Sequence, residues 1–288
     1  MLITYKNGNA DITLSNNGTR VIEFENDLQL EYPLNIDIRI SSSCSFADNI
    51  CKDFCHESAL VKGRDCDFTL LKEKLRILPK GIELAVGVNQ FTDDIMSFFI
   101  WCKLKGFVVN ITINQGHLLR DEEYIKSAID VNLINGIGIS YRASLKWNVP
   151  QYLLDYEHTI FNVIVGIDDV FDIKLLSNKG VKKICVLGEK KFGFNSNKQL
   201  DENKHNQWKW NIHSLFSLFE VVSFDNLGVE QLQIKRFFTN EQWDEFYQHE
   251  FSFYIDAVNK VFKLSSRSDK LTNWNEMNVL QYFKQLKK

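Results

Sequence analysis

Pro33-Leu34-Asn35-Ile36-Asp37-Ile38-Arg39-Ile40-Ser41-Ser42-Ser43-Cys44, followed by Cys51 and by Phe54-Cys55-His56, is the stretch from which the rest of the chain can be read. Leu34 to Ile40 alternates apolar and polar side chains, the period of a β-strand with two unlike faces. Residues 41 to 67 then separate this strand from the next helical pattern, whereas strand-to-helix connections usually take about 2 to 6 residues. Three cysteines fall in that connection with the spacing C-x6-C-x3-C. Their neighbours, Ser41-Ser42-Ser43 and Asp48-Asn49, are not those of thiols packed in an apolar core.

Outward from this stretch, strands alternate with helical segments, the mark of a parallel sheet with helical crossovers. Five further strands are expected at Ile82 to Gly87, Val108 to Ile113, Gly136 to Tyr141, Phe161 to Gly166 and Lys183 to Gly188. Helices are expected at Phe68 to Leu78, Asp93 to Lys105, Asp121 to Leu133, Pro150 to Glu157, Val170 to Lys179 and Asn206 to Phe219. Lys105-Gly106, Asn135-Gly136 and Lys179-Gly180 are expected to supply left-handed helix stops. Upstream, Ile3 to Tyr5, Ala10 to Leu14 and Val21 to Phe24, joined by Asn-Gly turns, predict a small β-meander. Downstream, the sequence predicts a helix over Thr239 to Gln248, a hairpin turned at Asn259-Lys260 and an amphipathic tail within Asn273 to Lys288. The Trp208-Lys-Trp210 pair reads as core packing, and Asp168 and Asp169 as caps of the helix that follows.

The chain has 288 residues, 44% hydrophobic and 25% charged, which excludes disordered, collagenous and disulfide-scaffold classes. A net charge of −3 supplies no basic field for a polyanion, so no strong nucleic-acid signal is present. Apolar runs are too short to cross a bilayer, and the first residues lack the pattern of a secretory signal. A cytoplasmic location is therefore expected, where six cysteines remain thiols free to bind metal. A structural zinc ion would need a fourth ligand, for which His56 or Cys66 is available. Three thiolates alone suit a [4Fe-4S] cluster with one iron left open.

At this point the sequence resembles the radical S-adenosylmethionine (radical SAM) superfamily. Its usual loop is C-x3-C-x2-C after the first strand with an aromatic before the last cysteine; Phe54 holds that place, and the intervals here are three residues and one residue longer. Gly87-Val88-Asn89 stands where the family has a Gly-Gly-Glu-like segment, without the acid. Asn114-Gln115-Gly116-His117-Leu118-Leu119 is similar to the turn after the third strand, Ser140 to a serine ending the fourth, and Val163-Ile164-Val165-Gly166 to the strand beside the adenine. The chain as a whole is also similar to radical SAM proteins of bacteriophages and their hosts. The resemblance implies an α/β fold built as a partial (β/α)6 TIM-like barrel over residues 32–220, with the N-terminal meander at 1–31 and a C-terminal α+β extension at 221–288. It implies cluster ligation by Cys44, Cys51 and Cys55, and S-adenosylmethionine contacts from Phe54, Gly87, Asn89, Asn114, Ser140 and Ile164. The implied activity is reductive cleavage of S-adenosylmethionine to a 5′-deoxyadenosyl radical, which takes a hydrogen atom from a small molecule, nucleotide precursor or peptide. An electron donor such as flavodoxin or ferredoxin would serve it. The reading from another class is a non-catalytic zinc-binding barrel acting as an interaction module.

Buried parallel strands should be apolar on both faces, yet Asn35, Asp37 and Arg39 share one face of the first strand, Asn110, Thr112 and Asn114 one face of the third, and Gly138 and Ser140 one face of the fourth. These faces are expected to surround a polar ligand.

Overall fold

The computed structural model describes residues 3–15, 20–46, 55, 57, 59–142, 147–246 and 251–287. Three short strands, β1 (Ile3–Asn7), β2 (Ala10–Leu14) and β3 (Arg20–Phe24), form the expected antiparallel meander as a separate sheet. It is fastened to the remainder by Asn7, whose Oδ1 accepts the Glu31 and Tyr32 amides at 2.9 Å each.

The main sheet grows from β4 (Asn35–Arg39), β5 (Glu83–Gly87), β6 (Val108–Asn114), β7 (Gly136–Ser140), β8 (Thr159–Ile164) and β9 (Lys183–Leu187), which lie side by side in chain order and run parallel. Helices occupy the crossovers: α1 (Phe68–Leu75), α2 (Asp93–Lys105), α3 (Gln115–Arg120), α4 (Glu122–Asp130), α5 (Gln151–Asp155) and α6 (Val170–Asn178), with α7 (Glu202–Leu218) after β9. Their ends obey local chemistry. Thr92 accepts the Ile95 amide at the start of α2, and Gly106, at φ +77°, closes it by donating to Lys103. Asp169 caps α6 by accepting the Phe171 amide at 2.8 Å. Gly136 is not the expected left-handed stop: it opens β7, where a Cβ would come within 2.7 Å of Asn110 Oδ1.

The alternation in β4 becomes visible as burial. Ile36 and Ile38 are buried while Asp37 is exposed, and in β6 Ile111 and Ile113 are buried while Thr112 is exposed. One continuous apolar core gathers these isoleucines with Phe98, Phe99 and Cys102 of α2, Ile173 of α6 and Trp208 of α7. Each large side chain buried this way contributes about 1.5–3 kcal/mol. Trp210 departs from the expectation: it is 77% exposed while Trp208 is fully buried. Two residues along a helix rotate a side chain by about 200°, so this spacing places the two rings on opposite faces.

The sheet extends beyond the six expected strands. Val221 to Leu232 divides at Asp225 into β10 (Val221–Phe224), parallel to β9, and α8 (Asn226–Leu232). After α9 (Asn240–Phe246), strand β11 (Ser252–Asp256) and β12 (Val261–Lys263) form the expected hairpin, with Lys260 at φ +58°. β11 also pairs in parallel with β4, Tyr254 opposite Asp37, and β13 (Leu271–Asn273) pairs with β12. The order is β10-β9-β8-β7-β6-β5-β4-β11-β12-β13. The tail helix α10 (Val279–Leu286) opens with a reciprocal capping box of Asn278 and Gln281. Among the described residues, no helix is long and apolar enough to cross a membrane.

Candidate functional site

Parallel strands direct all their C-terminal ends to one side, so the residues just after β4 to β9 converge whatever their separation in sequence. A cavity of about 750 Å³ lies there. Its lining includes Cys44, Cys55, Gly87, Asn89, Asn114, Ser140 and Ile164, seven of the nine residues named from the sequence. Cys51 and Phe54, together with His56, lie outside the described residues. Asp37, Arg39 and Thr112 join the lining, as the alternation of β4 and β6 requires. Asn110 sits further down β6, where its Nδ2 donates to Glu83.

The cysteine connection is held by its own backbone, by Asn89 just after β5 and by Arg120 at the end of α3. The amide of Cys44 donates to Leu60 and that of Leu60 to Ser42, which draws the two limbs together. Asn89 Nδ2 donates to the Ser43 carbonyl at 2.8 Å. Arg120 donates to Ser45 Oγ and to the Asn89 carbonyl at 2.9 Å each, and grips Asp121 with two further bonds. Cys55 is tied across the cavity mouth, its carbonyl accepting the Phe194 amide at 3.1 Å. Cys44 is buried beside Ala59, with Phe46 and Cys55 packed against the pair. Burial pushes the Cys44 thiol up, against the pull of the Phe46 amide. Cys66 belongs instead to the main apolar core, where burial raises its thiol to about 12. Among the described residues, no group of three His, Cys, Asp or Glu side chains is placed to hold a metal ion.

His117 stands behind Cys44, fully buried, with Nε2 3.8 Å from Sγ. Phe46 packs on its ring at 4.7 Å, and Phe46 fits there because a Cβ at Gly116 would come within 2.6 Å of it. Burial, with Arg120 nearby, lowers the imidazole to about 4. Asn114 spends its Oδ1 on the His117 amide as the cap of α3, and its Nδ2 has no hydrogen bond among the described residues.

The other walls contain ion pairs and hydrogen bonds that the sequence reading did not anticipate. Arg39 pairs with Glu57 at 2.7 Å and Asp256 at 3.3 Å, and the Tyr254 hydroxyl donates to Glu57 at 3.0 Å, so the C-terminal strand grips the cysteine connection. Burial lowers the Arg39 guanidinium, but Glu57 and Asp256 prevail and raise it. Asp168 is not a helix cap: its Oδ2 meets Arg142 at 3.1 Å and accepts the Ile164 amide at 2.6 Å. Beyond it, Glu189 takes hydrogen bonds from Lys191, Asn195 at 3.1 Å and the ring of His205 at 2.9 Å. Asp225 caps α8 and accepts the Gly188 amide at 2.8 Å.

The fold is similar to that of SuiB. The structure of Streptococcus suis SuiB bound to precursor peptide SuiA aligns with a TM-score of 0.57 at 14% identity, over 88% of this chain. The match spans 65% of the SuiB chain, and at this identity it shows a shared fold alone. No family model matches the chain, and no curated protein matches it.

Proposed function

We propose that this chain is a radical SAM enzyme in which the parallel strands curve as a partial barrel around a [4Fe-4S] cluster and S-adenosylmethionine. The observation that carries the reading is the opening of Cys44 and Cys55 onto the same cavity as Gly87, Asn89, Asn114, Ser140 and Ile164. The available groups suit both partners. Thiols of one connection are the donor set for iron, and none of the described residues stands within 4 Å of a Cβ position at Gly87, which leaves room at the end of β5. Cys44, Cys51 and Cys55 would hold the cluster, with Phe54 and Ile164 beside the adenine. Gly87 and Asn89 would meet the methionyl end, and Ser140 and Nδ2 of Asn114 the ribose. When bound, the cluster and S-adenosylmethionine together supply a 5′-deoxyadenosyl radical able to take a hydrogen atom from an unactivated C–H bond. The protein's share is to orient the partners and exclude water. Arg120, Asn89 and the Arg39–Glu57 pair fix the cysteine connection from three sides. A peptide is the substrate class to examine first, since SuiB was solved with a precursor peptide bound. A flavodoxin or ferredoxin would supply the electron.

Anaerobic reconstitution tests the reading. About four irons with matching sulfide are expected per chain, and dithionite with S-adenosylmethionine should yield 5′-deoxyadenosine. Cys51→Ala should abolish both cluster and product. One zinc per chain without sulfide would overturn the proposal.

A further inference from the structure

We propose that His117 donates an N–H···S hydrogen bond to Cys44 and thereby raises the reduction potential of a cluster held there. The inference rests on the radical SAM reading and adds a positioning residue that acts through a ligand. A neutral imidazole carries one N–H, on Nδ1 or on Nε2. Nδ1 is buried and has no hydrogen-bond partner among the described residues. A proton placed there is an unsatisfied buried donor, whereas one on Nε2 points to the Cys44 sulfur at 3.8 Å. A thiol leaves the choice open, because S–H can itself donate to Nε2. An iron-bound thiolate is only an acceptor, so metal binding selects the Nε2–H form. The ring has little freedom to turn elsewhere. Its backbone amide is held by Asn114 at 2.8 Å, and Phe46 packs against the ring at a 56° tilt with centroids 4.7 Å apart. Hydrogen bonds to cluster sulfurs withdraw charge and favour the reduced state, which makes the potential less negative.

The experiment compares reconstituted wild type with His117→Gln, which keeps an N–H donor, and His117→Leu, which removes it. Iron content is measured first, then the cluster midpoint by EPR-monitored redox titration. The expected result is equal iron in all three, a more negative midpoint in the Leu variant and a midpoint near wild type in the Gln variant. Equal midpoints in wild type and the Leu variant overturn the proposal while leaving the enzyme reading intact. A wild type that takes up no iron overturns the enzyme reading itself. If the Leu variant does not fold, pulsed EPR of the reduced His56→Ala protein carrying 15N-histidine decides. A weak nitrogen coupling to the cluster supports His117 as donor, and no coupling rejects it.

Discussion

On the wall formed by the ends of β4, β5 and β6, the Cys55 thiol, the Thr112 hydroxyl and Nδ2 of Asn114 face the cavity without a hydrogen bond among the described residues. On the wall formed by the ends of β8, β9 and β10, the polar groups are spent on one another. Asp168 is closed by Arg142 and Ile164, Glu189 by Lys191, Asn195 and His205, and Asp225 by two glycine amides. A buried polar group without a partner costs about 1–3 kcal/mol, so the closed pairs of the second wall hold the fold, while the proposed function assigns the first wall to ligands. Substitutions should therefore separate: the closed wall should lose stability, and the open wall should lose ligand binding with little change in stability.

The largest expected effect is on the closed wall. Asp168 has a side chain only 3% exposed, and burial pushes its carboxyl up further than Arg142 pulls it back. Asp168→Ala removes the carboxylate that faces the guanidinium of Arg142, whose side chain is 10% exposed. Removing one member of a buried pair costs about 3–5 kcal/mol, and urea unfolding should show a fall of that size. A loss below about 1 kcal/mol would mean that this wall is no more structural than the other.

A smaller effect on the same wall depends on pH. Burial raises the Glu189 carboxyl, but hydrogen bonds from Lys191, His205 and Asn195 outweigh it and hold it below its ordinary value of 4.5. The unfolded chain then takes the proton first as pH falls. The contribution of Glu189 is complete above about 4.5 and is lost as acid is added. Glu189→Gln should flatten this acid limb of stability against pH. An unchanged slope would show that the cluster around Glu189 is not ionised in the folded state.

How far each wall can be read from sequence follows from the range of its interactions. Helix α2 was predicted at Asp93 to Lys105, its observed span, because Thr92 and Gly106 fix its ends through bonds within one turn. The thiols of the open wall stood out because a long polar connection is no place for core cysteines, and the alternation of β4 and β6 identified the lumen face. The pairing of β11 with β4 left no such trace, since partners such as Tyr254 and Asp37 are joined only by the folded sheet. His117 was quoted only as part of a turn, because nothing local says that it will stand behind Cys44. Arg142 and Asp168 were legible in principle. They follow adjacent parallel strands β7 and β8, and the same topology that gathers the cavity residues sets this pair side by side. A carboxylate directly before a helix invites a capping assignment, and here Asp169 takes that place.

The smallest expected change in stability is at Cys55. It is half-buried, its thiol has no hydrogen bond among the described residues, and only its backbone carbonyl fastens the connection, through Phe194. Ser at this position keeps that carbonyl bond and nearly the same volume, so unfolding of metal-free Cys55→Ser should stay within about 0.5 kcal/mol of wild type. The same variant should fail to retain iron after anaerobic reconstitution, because a hydroxyl is a far poorer ligand for iron than a thiolate. Full iron retention together with lost stability would reverse the comparison, making Cys55 a packing residue and placing the ligands elsewhere. Unchanged stability with lost iron would assign this thiol to the ligand and leave the fold to the ion pairs across the cavity.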